Sequence, residues 1–315
     1  MLDLSIIIVN WNVKNYLENC IESIRSNVEE ITYEVIVVDN NSTDNRRLMI
    51  EKKNPDVILI KNKANVGFAK ANNQAIKASQ GRYILLLNPD TVVLPNSLGK
   101  TIDFMDSNSQ AGVCGCGLIN PDNPDAPLKT DWLKFPSLVD VLIFDTFLGN
   151  LTSVIVSKLF KTKKGNSKLD SSLPIEVDWV SGSSLIVRRE AVKEAGLMDE
   201  GFFLYGEDME WCYRIKRLLN WKIYLLPYVK VVHYGGQCSK KLNAFDRANY
   251  WHQGRYKFHQ KYSNNILFNL FNLMKVFLFS ISLSKWTFLY LINIQKRKYA
   301  KEKIQFYLSF LKIII

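Results

Sequence analysis

The chain opens with a short apolar run, Leu4–Val9, that ends in the polar triplet Asn10-Trp11-Asn12. The same figure recurs. Glu34–Asp39 is β-branched and too short for a helix, Val57–Ile60 is another short run, and Tyr83–Leu87 is uniformly apolar and stops at Asn88-Pro89-Asp90. Between these runs lie segments of helical period. They are Tyr16–Ser26, with Leu17, Ile21 and Ile24 on one face, then Thr43–Lys53, then Phe68–Ser79 stopped by Gly81, then Pro95–Met105 with its proline near the start. Short apolar strands alternating with helices predict an α/β fold whose parallel sheet is covered on both faces. In open sheets of this kind ligands bind beyond the carboxyl ends of the strands. Asn10, Asp39 and Asp90 are therefore predicted to line one crevice.

From Asn120 to Asp178 the pattern weakens. Pro121, Pro124, Pro127 and Pro136 punctuate it, Lys161–Lys168 is basic and polar, and one apolar helix is predicted over Leu138–Leu148. We read residues 120–178 as an irregular insertion. Regularity returns with Glu176–Arg188, a helix over Arg189–Ala195, and a second polar cluster, Tyr205-Gly206-Glu207-Asp208. Asp208 opens a predicted helix with Trp211, Ile215, Leu218 and Leu219 on one face, and Trp221–Leu226 and Val229–His233 read as strands. The organisation expected is one α/β domain over residues 1–240 and a helical tail over 241–315.

Composition narrows the classes. With 47% hydrophobic and 23% charged residues in 315, the chain is globular rather than disordered or collagen-like. The net charge is +11, and its placement matters more than its size. Residues 250–315 hold 11 Lys or Arg and the single acid Glu302, so the rest of the chain is nearly neutral. Within that tail, Tyr262–Gln295 carries only Lys275 and Lys285, and its longest charge-free piece, Tyr262–Met274, is shorter than a spanning helix needs. Asn265, Asn269, Asn272 and Lys275 form a polar stripe at helical spacing, which suits a helix lying in a membrane interface. Gln295–Lys303 is basic, as expected of a segment that meets the anionic inner leaflet. The other reading of the tail is a helical appendage packed on protein. No recognition motif accompanies the charge, so no nucleic-acid partner is expected. Five irregularly spaced cysteines and an N-terminus without a signal-peptide pattern point to reduced thiols and a cytoplasmic protein.

Seven segments in order then carry a resemblance. Ser5-Ile-Ile-Ile-Val-Asn-Trp-Asn12, Val37-Val-Asp39-Asn-Asn-Ser-Thr-Asp44, Asn65-Val-Gly-Phe-Ala-Lys-Ala-Asn-Asn73, Asn88-Pro-Asp90, Trp179-Val-Ser-Gly-Ser-Ser184, Phe203-Leu-Tyr-Gly-Glu-Asp208 and His233 resemble the inverting family 2 glycosyltransferases of GT-A fold. The match is to the rhamnosyltransferase-like branch that builds bacterial cell-surface polysaccharide. It covers roughly residues 4–240 and continues weakly to about 262.

The resemblance implies a nucleoside-diphosphate-sugar donor and a lipid-linked saccharide acceptor at the cytoplasmic face of the inner membrane. It implies Asp208 as the general base, with Glu207 beside it in the family's acidic pair. It assigns Asn10, Asn12, Asp39, Asn41, Asn65, Gly67 and Asn88 to the donor, and Trp179, Ser181 and Gly182 to the acceptor side. A divalent cation, Mg or Mn, wants hard oxygen ligands, and Asp90 supplies one. The family's Asp-x-Asp has Asn88 at its first position here. His233 resembles a second metal ligand. Residue type alone leaves other readings open: Asp39 as a turn cap, Asp208 as a helix N-cap, Gly67 as a loop glycine, Trp179 as strand packing, and His233 as a structural histidine. Two other functions stand beside the transferase: a polyprenyl-phosphate sugar synthase, and a non-catalytic membrane adaptor that keeps the fold.

Overall fold

The computed structural model describes residues 2–29, 31–43, 54–124, 133–145, 172–292 and 297–314. The chain divides into two compact units, Met1–Phe135 with Asp170–Leu242, and Pro136–Leu169 with Asn243–Ile315.

The first unit is a mixed sheet with helices on both faces. Its strands are β1 (Leu4–Asn10), β2 (Tyr33–Asp39), β3 (Ile58–Lys61), β4 (Tyr83–Leu87), β5 (Thr91–Val93), β6 (Ala111–Ile119), β7 (Ile175–Glu176), β8 (Ser184–Arg188) and β9 (Lys222–His233). They run in the order β3-β2-β1-β4-β8-β6-β9-β5, with β7 on β9. The first four pair in parallel, as expected from the alternation with helices. Strand β8 enters antiparallel between β4 and β6, and β6 pairs β9 in parallel again.

All seven residues of β1 are buried, because its two sides serve two cores. Leu4, Ile6 and Ile8 pack with Leu17, Ile21 and Ile24 of α1 (Lys14–Asn27), and with Leu98, Ile102 and Met105 of α3 (Ser97–Ser107). Ile7 and Val9 pack with Ala69, Ala75 and Ile76 of α2 (Phe68–Ala78), Ala191 of α5 (Arg189–Ala195), and Trp211 of α6 (Glu207–Tyr213). Strands buried on both faces lose the polar alternation of a half-exposed sheet.

Four differences from the sequence expectation have physical causes. Strand β6 was not expected, since Gly112, Gly115 and Gly117 dilute its apolar pattern. A Cβ at those positions would lie 2.7 Å from Trp221, 2.8 Å from Val180 and 2.9 Å from the Pro227 carbonyl. The segments Trp221–Leu226 and Val229–His233 form one strand, β9. Its register against β6 shifts between Cys116 and Gly117, an irregularity that accommodates Pro227. Leu218 is 58% exposed rather than buried, because the helix after α6 widens into a π turn over Arg214–Leu218. Strand β5 is three residues long and follows the β4 turn directly. The helix expected over Thr43–Lys53 lies, beyond Thr43, outside the described residues, as do the last three residues of Leu138–Leu148.

The second unit gathers α4 (Leu138–Asp145), α7 (Ala244–Tyr262), α8 (Asn265–Ile292) and α9 (Arg297–Ile314). Val141 and Leu142 of α4 pack with Tyr256, Phe268, Phe271 and Leu278. Ring contacts between Phe279 and Tyr307 and between Trp286 and Tyr299 set α8 and α9 antiparallel. The polar stripe of α8 does not face water along its length. Lys275 is fully buried, its ammonium 5.3–5.6 Å from the ring centres of Tyr256, Phe271 and Phe279. Asn272 bonds the Tyr256 phenol. Asn265 and Asn269 remain exposed, and the rest of the outward face is apolar, with Ile266, Leu270, Leu273, Phe277 and Phe288 each more than half exposed.

Candidate active site

The polar residues at the strand ends surround a cavity of about 330 Å³ in the first unit. Its walls come from the ends of β1, β2 and β4, from the turn before α2, from Ser181–Ser183 ahead of β8, and from Phe203–Asp208.

The β2 end is organised by an asparagine that sequence reasoning passed over. The Asn40 amide donates to Asn65 Oδ1 at 3.0 Å and to the Gly67 carbonyl at 3.2 Å. Its own Oδ1 accepts from Val66 N–H and from the Asn62 amide. Asn62 in turn exchanges bonds with Gln74 of α2. This network shapes the Asn65–Gly67 turn, where Gly67 adopts φ +88°. The trace in the sequence is the recurrence of asparagine at the ends of the first parallel strands, Asn10, Asn40, Asn62 and Asn88.

The predicted donor residues divide into two groups. Asn65, Gly67 and Asn88 line the cavity. Asn10, Asn12, Asp39 and Asn41 do not line it and form a wired cluster at the adjoining ends of β1 and β2. The Asn10 amide donates to Asp39 Oδ1 at 3.3 Å and to Ser42 Oγ at 3.1 Å. Asp39 Oδ2 accepts from Ser42 N–H, which is the turn-cap geometry. Asn12 Oδ1 accepts from Thr43 N–H, and both Asn12 and Asn41 sit at positive φ. Of the residues predicted for the acceptor, Ser181 and Gly182 line the cavity, whereas the Trp179 indole N–H is spent on the Lys134 carbonyl.

Asp90 and His233 come together across the sheet. The β5–β9 pairing sets Thr91 opposite His233, and His233 Nε2 lies 3.4 Å from Asp90 Oδ1 and 3.4 Å from Asn88 Nδ2. Asp90 Oδ2 accepts from Gln237 N–H at 2.9 Å. Burial alone would raise the Asp90 carboxyl, but His233 and the Gln237 N–H outweigh it and hold it below the ordinary carboxylate value. One carboxylate, a hard oxygen donor, and one imidazole, a borderline nitrogen donor, stand together at the cavity, a pair whose chemistry would suit Mn better than Mg. Among the described residues no cluster of three or more His, Cys, Asp or Glu forms a metal site.

The acidic pair occupies the opposite wall. It is held by α6, whose Glu210 is fully buried against Arg214 and whose Trp211 indole donates to the Gly196 carbonyl. Asp208 Oδ2 accepts from Gly182 N–H at 3.0 Å, and Oδ1 from Met209 N–H at 2.8 Å. Burial raises its pKa. Glu207 is 3% exposed, and its Oε2 has no hydrogen-bond partner. Burial first, and the neighbouring Asp208 charge second, push its pKa up to about 8. Phe68, Phe203, Tyr205, Ser183 and Cys238 also line the cavity. Nothing in residue type alone singled these five out.

A mixed α/β sheet with a polar cavity at its strand ends is a frame shared by many ligand-binding enzymes. The family description "Glycosyl transferase family 2" matches residues 5–196, and the chain belongs to that family. Its relatives agree. It is 27% identical, over 73% of its length and 76% of the relative, to the N-acetylglucosaminyl-diphospho-decaprenol L-rhamnosyltransferase of Mycobacterium tuberculosis. It is 26% identical, over 78% of its length and 88% of the relative, to rhamnosyltransferase WbbL of Escherichia coli K12. Among solved structures, GalNAc-T7 with UDP, GalNAc and Mn2+ superposes with a TM-score of 0.54 at 19% identity, over 74% of this chain and 43% of that one. The TarS structure from S. aureus gives 0.52 at 16% identity, over 87% and 40%. The chain spans less than half the length of these two, and the likeness shows the fold, which is GT-A-like.

Proposed function

We propose that the protein is an inverting transferase that moves one sugar, rhamnose in the nearest reading, from a nucleoside-diphosphate donor to a hydroxyl of a lipid-linked polysaccharide intermediate. The observation that carries this is Asp208. Two backbone N–H groups pin its carboxylate at the cavity wall, and burial tunes it toward a working base. It takes the acceptor hydroxyl proton as that oxygen attacks the anomeric carbon and the nucleotide leaves from the other side. A base with no protein nucleophile produces inversion. The acceptor class is carried over from the Mycobacterium tuberculosis relative, whose name gives a diphospho-decaprenol-linked sugar, and the rhamnose from both rhamnosyltransferases. The Asn40–Asn65–Gly67 turn and the Asn10–Asp39 cluster suit the nucleoside end of the donor.

Asp90 and His233, with Asn88 beside them, are the residues that would hold a divalent cation, which supplies charge neutralisation for the diphosphate when bound. The experiment is a panel of dTDP-, UDP- and GDP-sugars, tested for binding and slow hydrolysis with Mg or Mn and with EDTA. Turnover of one donor that EDTA abolishes supports the reading. Binding to none of them, with or without metal, overturns it in favour of a non-catalytic adaptor.

Attachment is proposed at the cytoplasmic face of the inner membrane, by α8 lying in the interface. This helix is long and apolar enough to cross a membrane, with a mean hydropathy of 1.8 in its most apolar window. Crossing conflicts with its partner, however. The Trp286–Tyr299 contact sets Lys298, Lys301 and Glu302 of α9 alongside the last turns of α8, where a spanning helix would drag them into hydrocarbon. Lying in the plane lets the apolar face of α8 meet acyl chains while the basic residues of α9 meet anionic headgroups.

A further inference from the structure

Tyr205 has φ +68°, and Gly206 after it has φ +96°. A glycine adopts this left-handed region freely, but a bulky aromatic residue there is a true outlier. The conformation is held from both sides. Phe68 N–H donates to the Phe203 carbonyl at 2.8 Å, which ties the loop to the Gly67 turn. The Glu207 carboxyl draws the Tyr205 N–H toward it from the other side. A glycine at position 205 would meet both constraints without strain. The chain nevertheless carries a tyrosine, which lines the cavity together with Gly182, Glu207 and Asp208. Strain retained at a cavity wall points to work done by the side chain there.

We propose that Tyr205 is a substrate-contact residue whose ring packs against the C–H face of a pyranose at the Asp208 end of the cavity. The match is one of shape and polarity. An aromatic face is flat and apolar, and so is the C–H face of a pyranose, whose hydroxyls project at the rim. Stacking would fix the sugar plane relative to Asp208 and leave the rim hydroxyls free for reaction. The ring could belong to the donor or to the acceptor, since both converge on the reacting atoms. The inference rests on the transferase reading above.

The test compares Tyr205→Gly, Tyr205→Phe and wild type by thermal unfolding, by nucleotide-sugar hydrolysis without acceptor, and by transfer to N-acetylglucosaminyl-diphospho-decaprenol. Tyr205→Gly is expected to unfold at or above the wild-type temperature, because it relieves strain, while its transfer efficiency falls at least about tenfold through lost positioning. Tyr205→Phe keeps the ring and is expected to stay within about threefold of wild type. A rise in KM for hydrolysis identifies the donor sugar as the stacked ring. Unchanged hydrolysis with a raised acceptor KM identifies the acceptor sugar. A lowered unfolding temperature for Tyr205→Gly, or transfer equal to wild type, overturns the proposal. If wild type itself turns over no dTDP-, UDP- or GDP-sugar, the transferase reading has failed and takes this inference with it.

Discussion

Gly182 N–H donates to Oδ2 of Asp208 at 3.0 Å, from a segment 26 residues earlier in the chain. A Cβ on Gly182 would lie 3.1 Å from the Phe68 ring and 3.7 Å from Asp208 Cβ. A side chain at 182 would crowd the Phe68 ring beside the acidic pair. Two effects then oppose each other on Asp208. Burial disfavours its charge, while the N–H groups of Gly182 and Met209 favour it, and burial prevails. The result is a carboxylate more basic than a solvated aspartate, aimed at a cavity rather than at water.

Asp208→Asn removes the base and keeps the shape. We expect kcat to fall by about 10²–10⁴, with donor binding retained. Steady-state transfer and calorimetric donor binding check this. Near-normal turnover would favour a phosphate acceptor, which needs no proton removed, and would move the enzyme to the polyprenyl-phosphate sugar synthases.

Glu207 makes stability depend on pH. Its folded-state pKa stands at about 8 against an ordinary 4.5, so the folded protein holds the proton more tightly than the unfolded chain. The stabilisation is fully present below about 4.5 and is lost as pH rises through about 8. Glu207→Gln cannot ionise. Denaturant titrations at several pH values should show wild type losing stability relative to the variant across that window. Parallel curves would show that Glu207 titrates normally.

How much of this could be read in advance depends on what each residue has to do. The runs of β1, β2 and β4 were legible because burial on both faces leaves uninterrupted apolar sequence. Strand β6 was hidden, since its glycines answer to Trp221, Val180 and Pro227, all distant in sequence. The acidic pair and Asp90 could be picked out by motif order, but Asn40 could not, because its role is a network of partners 22 to 27 residues away. The stripe on α8 faces water at Asn265 and Asn269 and turns inward at Asn272 and Lys275. Periodicity reports which residues share a face, and not whether water or a neighbouring helix meets it. Lys275 faces aromatic rings, whereas Leu270, Leu273 and Phe277 face out.

Gly67→Ala should cost stability. At φ +88° an alanine is strained, and its Cβ would lie 2.6 Å from the Phe203 carbonyl oxygen, a backbone atom that cannot swing aside. A loss of about 1–3 kcal/mol is expected by chemical denaturation. Gly182→Ala presses on the movable Phe68 ring, so its loss should appear in kcat more than in stability. An unperturbed Gly67→Ala protein would show that the loop around Gly67 and Phe203 opens to admit a side chain.

His233→Ala separates a ligand from a structural histidine. As a ligand, its removal should raise the Mg or Mn concentration for half-maximal turnover by at least about tenfold, with activity recovering at high metal. Unfolding temperature should change less than the metal requirement, since His233 lies at the end of β9 and, among the described residues, the polar partners of its ring are Asp90 and Asn88. A large drop in stability with an unchanged metal requirement would make it structural.

The outward face of α8 gives the last prediction. Leu273 and Phe277 are 69% and 65% exposed, so replacing both with glutamate disturbs no buried contact. If this face enters lipid, each side chain contributes about 1.5–3 kcal/mol of transfer free energy, and losing two weakens partitioning by at least about a hundredfold. Flotation with vesicles containing phosphatidylserine measures it. Salt should weaken wild-type binding as well, because each basic residue near an anionic surface contributes about 1 kcal/mol and is screened. Hydrolysis of the nucleotide sugar in detergent should be unchanged, since neither residue belongs to the unit that holds the cavity. Should the double variant float like wild type, α8 does not bind lipid. Should wild type instead form a dimer that the variant cannot, the apolar face belongs to a second copy of the chain.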